Sequence, residues 1–155
     1  MRSAAALLAA AVLSTSLTAC GDDAEHEQEK QAEEGLAQAA DLSTCTADAK
    51  PAATPYGKDF PAHWPFPPKT VVFNAEDRGA DGAIVTGISS AEFGTILDFM
   101  NSEVVGAGFA TEKGETEDHD AEAEWKGDGF RGRWAIRESA KCPGETVIQV
   151  LSSSD

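Results

Sequence analysis

The sequence predicts a two-layer α+β fold, a mostly antiparallel sheet with one helix packed on one face, in the order β-β-α-β-β-β-β. Three observations carry this. Apolar, β-branched runs recur between turn signals from Thr70 onward; one segment with helical periodicity interrupts them after the second run; and Asp118 to Arg137 alternates charged and apolar residues on both sides of a Gly-Asp-Gly turn.

Val71-Val72-Phe73 and Ala83 to Ile88 read as the first two strands, joined by the hairpin loop Arg78-Gly79-Ala80-Asp81-Gly82. The helix follows. Ser89 and Glu92 have capping-box spacing, and Phe93, Ile96, Leu97, Met100 and Val104 recur on one helical face, the stripe a single helix needs to cover a sheet. Gly106 or Gly108 ends it. Phe109 to Glu112 is a short strand, and Thr146 to Leu151 is the last one, preceded by a turn at Pro143-Gly144.

The stretch between them specifies its own faces. Asp118, Asp120, Glu122 and Glu124 alternate with His119, Ala121, Ala123 and Trp125; past the turn, Arg131, Arg133 and Arg137 share one face, and Phe130, Gly132, Trp134 and Ile136 the other. A turn on Gly127-Asp128 opposes Glu124 with Arg131, Glu122 with Arg133, Asp118 with Arg137 and Trp125 with Phe130. A turn on Asp128-Gly129 sets Lys126 against Arg131 and Trp125 against Gly132. Turn chemistry alone ties, because Gly-first suits type II′ and Asp-Gly suits type I′, and the side-chain pairs favour the first register. Calcium ligation by the carboxylate row does not fit. No glycine stands at the sixth position of an EF-hand loop, Gly129 stands at the twelfth, and same-face residues of a strand lie ~6.5–7 Å apart. The carboxylates read as a solvated strand face neutralised by arginines, with no metal.

Upstream of the sheet, residues 45–69 form a lead-in in which Pro51 to Pro68 holds all but one of the seven prolines. Proline fixes φ and extends its predecessor, so this segment is extended, and the aromatics of Phe60-Pro61-Ala62-His63-Trp64-Pro65-Phe66 are expected to staple it to the domain. Residues 20–44 are mainly Asp, Glu, Gln and Ala and cannot bury a core; they read as an acidic tether with a span of ~25–30 Å. The domain proper is 70–152, and 153–155 is a frayed polar end.

Before the tether, Met1-Arg2 and an Ala/Leu/Val run too short to span a bilayer describe a secretory signal over residues 1–19. Leu17-Thr18-Ala19-Cys20 resembles the lipobox of bacterial lipoproteins. The resemblance implies cleavage before Cys20, acylation of its thiol by palmitate-type chains, and attachment to the outer side of the cell membrane. With the acidic tether, Pro-rich lead-in, hairpin, helix and Trp-bearing hairpin, the chain is similar to small lipoproteins of high-GC Gram-positive bacteria. If Cys20 is acylated, Cys45 and Cys142 remain as an even pair in an oxidising compartment and are expected to bridge, closing a loop of roughly 100 residues.

Charge narrows the function classes. The chain carries 27 carboxylates against 12 cations, a net charge of −15, and removing residues 1–19 takes away Arg2 alone, leaving −16. Such a chain is repelled by phosphate backbones and anionic headgroups, so nucleic acid is excluded as a partner and membrane attachment rests on acyl chains. No nucleophile elbow, zinc-binding His-Glu-x-x-His, phosphate-cradling loop or Ser-x-x-Lys is present. His26 lies in the tether, His63 among prolines and His119 on the acidic stretch. No catalytic residues and no cofactor follow; an envelope hydrolase is the minor alternative. The expected function is a surface-tethered, non-enzymatic interaction or ligand-binding module. Its candidate binding face is Arg131, Arg133 and Arg137, and its partner is an envelope protein or a small anionic ligand. The alternative is a structural lipoprotein associated with the cell wall.

Overall fold

In the computed structural model, which describes residues 44–155, the apolar runs form one six-stranded sheet. Strands β1 (Thr70–Asp77) and β2 (Ala83–Ser89) make a hairpin. Helix α1 (Phe93–Gly106) then crosses the sheet, and β3 (Ala110–Thr116), β4 (Asp120–Gly127), β5 (Phe130–Glu138) and β6 (Thr146–Ser154) complete it. The order across the sheet is β1-β2-β6-β5-β4-β3, with every neighbouring pair antiparallel. The class is α+β, as the periodicities predict. The C-terminal strand β6 lies between β2 and β5, so the two halves of the sheet join only when the end of the chain docks. The signal segment, Cys20 and the acidic tether to residue 43 lie outside the described residues.

The helix packs by the stripe read from its spacing: Ile96, Met100 and Val104 are fully buried, with Phe93 and Leu97 half-buried beside them. Its start differs from expectation. Glu92 is the N-cap without a side-chain cap bond, and Ser89 is still in β2, where its hydroxyl accepts from the Ala91 amide and donates to the Pro68 carbonyl. The serine therefore turns the chain out of the strand instead of closing a capping box. At the other end Gly108, at φ +100°, is the left-handed residue; its amide bonds the Val105 carbonyl and the Phe109 amide bonds Val104. This Schellman arrangement delivers Phe109 into the core.

The β4–β5 turn corrects the register. Asp128 and Gly129, at φ 54° and 76°, are its two central residues, the pattern of a type I′ turn. Accordingly Glu124 faces Arg133, Trp125 faces Gly132, Lys126 faces Arg131 and Asp120 faces Arg137. The faces are unchanged, because a shift of two residues preserves side-chain parity. Asp118 and His119 are not in the strand; they form the β3–β4 turn, closed by bonds from the Glu117 amide to the Asp120 carbonyl and from the Glu138 amide to the His119 carbonyl.

β3 runs on to Thr116 past an irregularity between Thr111 and Gly114, and it forms one edge of the sheet with charged, exposed residues. Such an edge resists pairing with other chains. The residues read as a frayed end are also ordered into the sheet: Ser153 and Ser154 pair with Arg131 and Phe130, and the Asp155 amide bonds the Gly129 carbonyl.

The lead-in is part of the core. Phe60 and Trp64 are 4% and 6% exposed, and the Trp64 ring lies 4.4 Å from Trp125 and 4.8 Å from Phe109 between centroids. Aromatic burial of this kind offsets the lack of backbone pairing in a segment rich in proline.

Candidate functional site

Alternation along β5 buries Trp134 and Ile136 against α1, which puts Arg131, Arg133 and Arg137 on the opposite face. The carboxylates of β4 share that face, so the candidate arginines stand among acids. Arg133 forms an ion pair with Glu122, both side chains being about a fifth exposed (22% and 20%). Arg131 lies 3.6 Å from the Asp155 carboxylate, and Lys126 pairs with Glu112 across the β3–β4 ladder. Arg137 faces Asp120, and among the described residues no carboxylate comes within ion-pair distance of it.

These groups surround a depression of about 630 Å³ at the hairpin end of the outer face, lined by Asp81, Glu112, Glu124, Lys126, Arg131 and Arg133 together with Leu151 and the C-terminal residues. Carboxylates outnumber cations there. The Glu112 carboxylate, by its hydrogen bond and then its charge, holds the Lys126 ammonium above its usual pKa. Alternation in the sequence marks Arg131 and Arg133 for this face, whereas Glu112, Lys126 and Asp155 join them through the β3–β4 and β4–β5 pairing and the ordered C-terminus. Lys126 and Asp155 became legible only with the type I′ register and the ordered C-terminus.

At the other end of the same face, Cys45 and Cys142 are joined, with Cα atoms 5.6 Å apart. The bridge packs with Ile88, Val147 and Phe73. Beside it the Glu145 carboxylate accepts from both the amide and the hydroxyl of Thr46, capping the turn in which the Asp48 and Ala49 amides bond the Cys45 carbonyl. Cys45, Cys142 and Glu145 lie close enough to hold an ion. Both sulfurs are spent on each other, however, and the carboxylate is engaged with Thr46.

The two described histidines stand at opposite ends of β4. His63 stacks on Phe109 with ring centroids 5.1 Å apart and lies 3.6 Å from Asp128 in the β4–β5 turn; His119 Nδ1 is 3.0 Å from Glu138. His26 lies outside the described residues. The arrangement on the outer face suits recognition by paired charges. Compared with family models, with curated proteins and with solved structures, the chain matches none.

Proposed function

We propose that the protein is a lipid-anchored module on the outer side of the cell membrane, attached through Cys20, which recognises another envelope protein with the charged outer face of its sheet and catalyses no reaction. One observation carries the choice of partner. Lys126, Arg131 and Arg133, around a single depression, are each tied to a carboxylate, and acids outnumber them. A small anion meets a net negative site there, whereas a protein surface of alternating sign can exchange partners with each pair, which favours specificity. The lipobox at Cys20 and the acidic stretch after it support a domain held off the membrane by its anchor.

The test reverses two pairs together, Glu122→Arg with Arg133→Glu and Glu112→Lys with Lys126→Glu. Each pair survives with opposite polarity, so the thermal midpoint is expected to stay within a few degrees while crosslinking to the envelope partner on intact cells is lost. Unchanged crosslinking would overturn the face as the docking surface. The anchor is tested separately: the wild type is expected in the detergent phase with an acyl mass increment, and Cys20→Ala in the aqueous phase or as an uncut precursor. Mature wild-type protein in the culture fluid, unmodified at Cys20, would refute it.

A further inference from the structure

Buried hydroxyls and indole nitrogens in folded proteins nearly always have a hydrogen-bond partner, so a concentration of partnerless ones asks for an explanation. Among the described residues six such atoms are buried and have none: Trp64 Nε1, Thr70 Oγ1, Thr111 Oγ1, Trp125 Nε1, Trp134 Nε1 and Ser152 Oγ. Thr70 on β1 and Trp134 on β5 stand outside the row described next, and the other four lie together. Thr111 faces Trp125, Trp125 faces Gly132 and Gly132 faces Ser152, so three of the four belong to one row across β3, β4, β5 and β6 on the face that α1 covers. The fourth, Trp64, packs its ring against Trp125, tilted by 50°. Trp125, Ser152 and Trp64 are 1%, 3% and 6% exposed. Gly132, in the middle of the row, adds no side chain; a Cβ there would fall 1.9 Å from the Leu151 carbonyl oxygen.

The Pro-rich lead-in reaches this row from outside the sheet. Among the described residues, no backbone–backbone hydrogen bond links its stretch between Ala53 and Pro67 to the strands. Among the described residues its polar ties are the Ser154 hydroxyl to the Asp59 carboxylate at 3.0 Å, the exposed His63 ring 3.6 Å from the Asp128 carboxylate, and the Ser89 hydroxyl to the Pro68 carbonyl at 2.8 Å; the rest is largely ring contact. A segment so held can separate from its neighbours without breaking the sheet.

We propose that the row Thr111–Trp125–Ser152, with Trp64 over it, is a ligand site beneath a displaceable strap, and that it takes an uncharged apolar molecule bearing a carbonyl oxygen. The donor set decides the chemistry. An indole N–H only donates and a hydroxyl does both, so the ligand must bring an acceptor. No cation belongs to the row, and burying a carboxylate without one is costly, so the acceptor is neutral, as in an ester, amide or ketone. Phe60, Phe109 and the two indoles supply the apolar walls.

The test uses the full chain carrying Cys20→Ser, free of detergent, and the neutral naphthalene ketone Prodan as probe. Tryptophan emission is expected to be quenched saturably, with sensitised Prodan emission. Ser152→Ala and Thr111→Val are each expected to weaken binding about five- to ten-fold, in line with loss of one buried hydrogen bond. The same variants should raise the thermal midpoint of the free protein, since each removes a partnerless group. Asp59→Ala, which removes the tie to Ser154, should speed association several-fold by freeing the strap. The anionic naphthalene sulfonate ANS should not compete. Non-saturable emission, wild-type affinity in both row variants, or equal competition by ANS would overturn the site.

Discussion

Arg133 on β5 bonds Glu122 on β4 along the diagonal, although the ladder sets Glu124 opposite Arg133 and Ala135 opposite Glu122. Long charged side chains reach past the facing residue, so the pair survives a two-residue change of register. Its partial burial reduces solvent screening. A double-mutant cycle on Glu122→Gln and Arg133→Gln, read by urea unfolding, is expected to give a coupling of about 0.5–1 kcal/mol, the upper part of the range for surface pairs. A coupling of zero would show that the pair is ornamental to stability.

Three glycines make a graded test of the backbone. Gly94 lies in α1 with nothing within 4 Å of an added Cβ, so Gly94→Ala is expected to stabilise by about 0.5–1 kcal/mol. Gly129 has open space but φ +76°, so Gly129→Ala should cost about 1 kcal/mol from the left-handed backbone alone. Gly132→Ala drives a methyl into the Leu151 carbonyl and should cost more than either, about 2–3 kcal/mol. An inverted order in denaturant midpoints would contradict the type I′ register or the packing of β5 on β6.

Much of this fold was legible because its elements use plain periodicities. The stripe from Phe93 to Val104 and the alternation around the Asp128-Gly129 turn each state which side is buried. The register misled for a physical reason. Charge pairs such as Glu122–Arg133 tolerate a diagonal, whereas the φ > 0 demanded at both turn positions tolerates few residues, so turn chemistry outweighs charge pairing. Ser89 misled because a serine three residues before a glutamate also suits a strand-to-helix bend. The C-terminal serines look frayed by composition, yet Ser152 lies between β2 and β5, and Ser153 and Ser154 run on beside β5, where backbone pairing orders polar residues. Of the candidate site, the arginine face was readable from parity; the acids from β3 and from the C-terminus were not, since long-range pairing sets them there.

Acidification should loosen the strap before it affects the sheet. Hydrogen bonds from Lys58 and then Ser154 hold the Asp59 carboxyl below its ordinary value of 3.8. A folded-state pKa below the unfolded one means that the contribution is present above the unfolded value and is lost as pH falls through the lowered folded value. The Ser154–Asp59 tie is therefore expected to persist at neutral pH and to fail only below about pH 4, and Asp59→Asn should remove that pH dependence. Carboxyl NMR titration of Asp59 checks the direction, and an apparent pKa at or above 3.8 would refute the tie in solution.

The bridge between Cys45 and Cys142 should control whether the start of the domain stays on the sheet. It closes a sequence separation of 97 residues, for which loop-closure entropy is worth about 4–5 kcal/mol before any offset. Without it, residues 45–49 are held by the Glu145 carboxylate on Thr46 and by contact with Ile88 and Val147, a small apolar cluster apart from the main core. Cys45→Ser with Cys142→Ser is thus expected to cost about 3–5 kcal/mol in global stability. It should also release this end locally, since few contacts then oppose its separation. The readout is amide exchange at Asp48 and Ala49, whose N–H groups bond the Cys45 carbonyl at 2.9 Å. Protection there should fall toward that of an unfolded chain while Val85 and Ile148 in the central strands stay protected. Glu145→Gln should weaken protection of the two amides modestly in the oxidised protein and add nothing in the double-serine variant, because the turn it caps has already left the sheet. Unchanged protection at Asp48 and Ala49 in the double-serine variant would show that Glu145 and the apolar cluster alone hold this end of the domain.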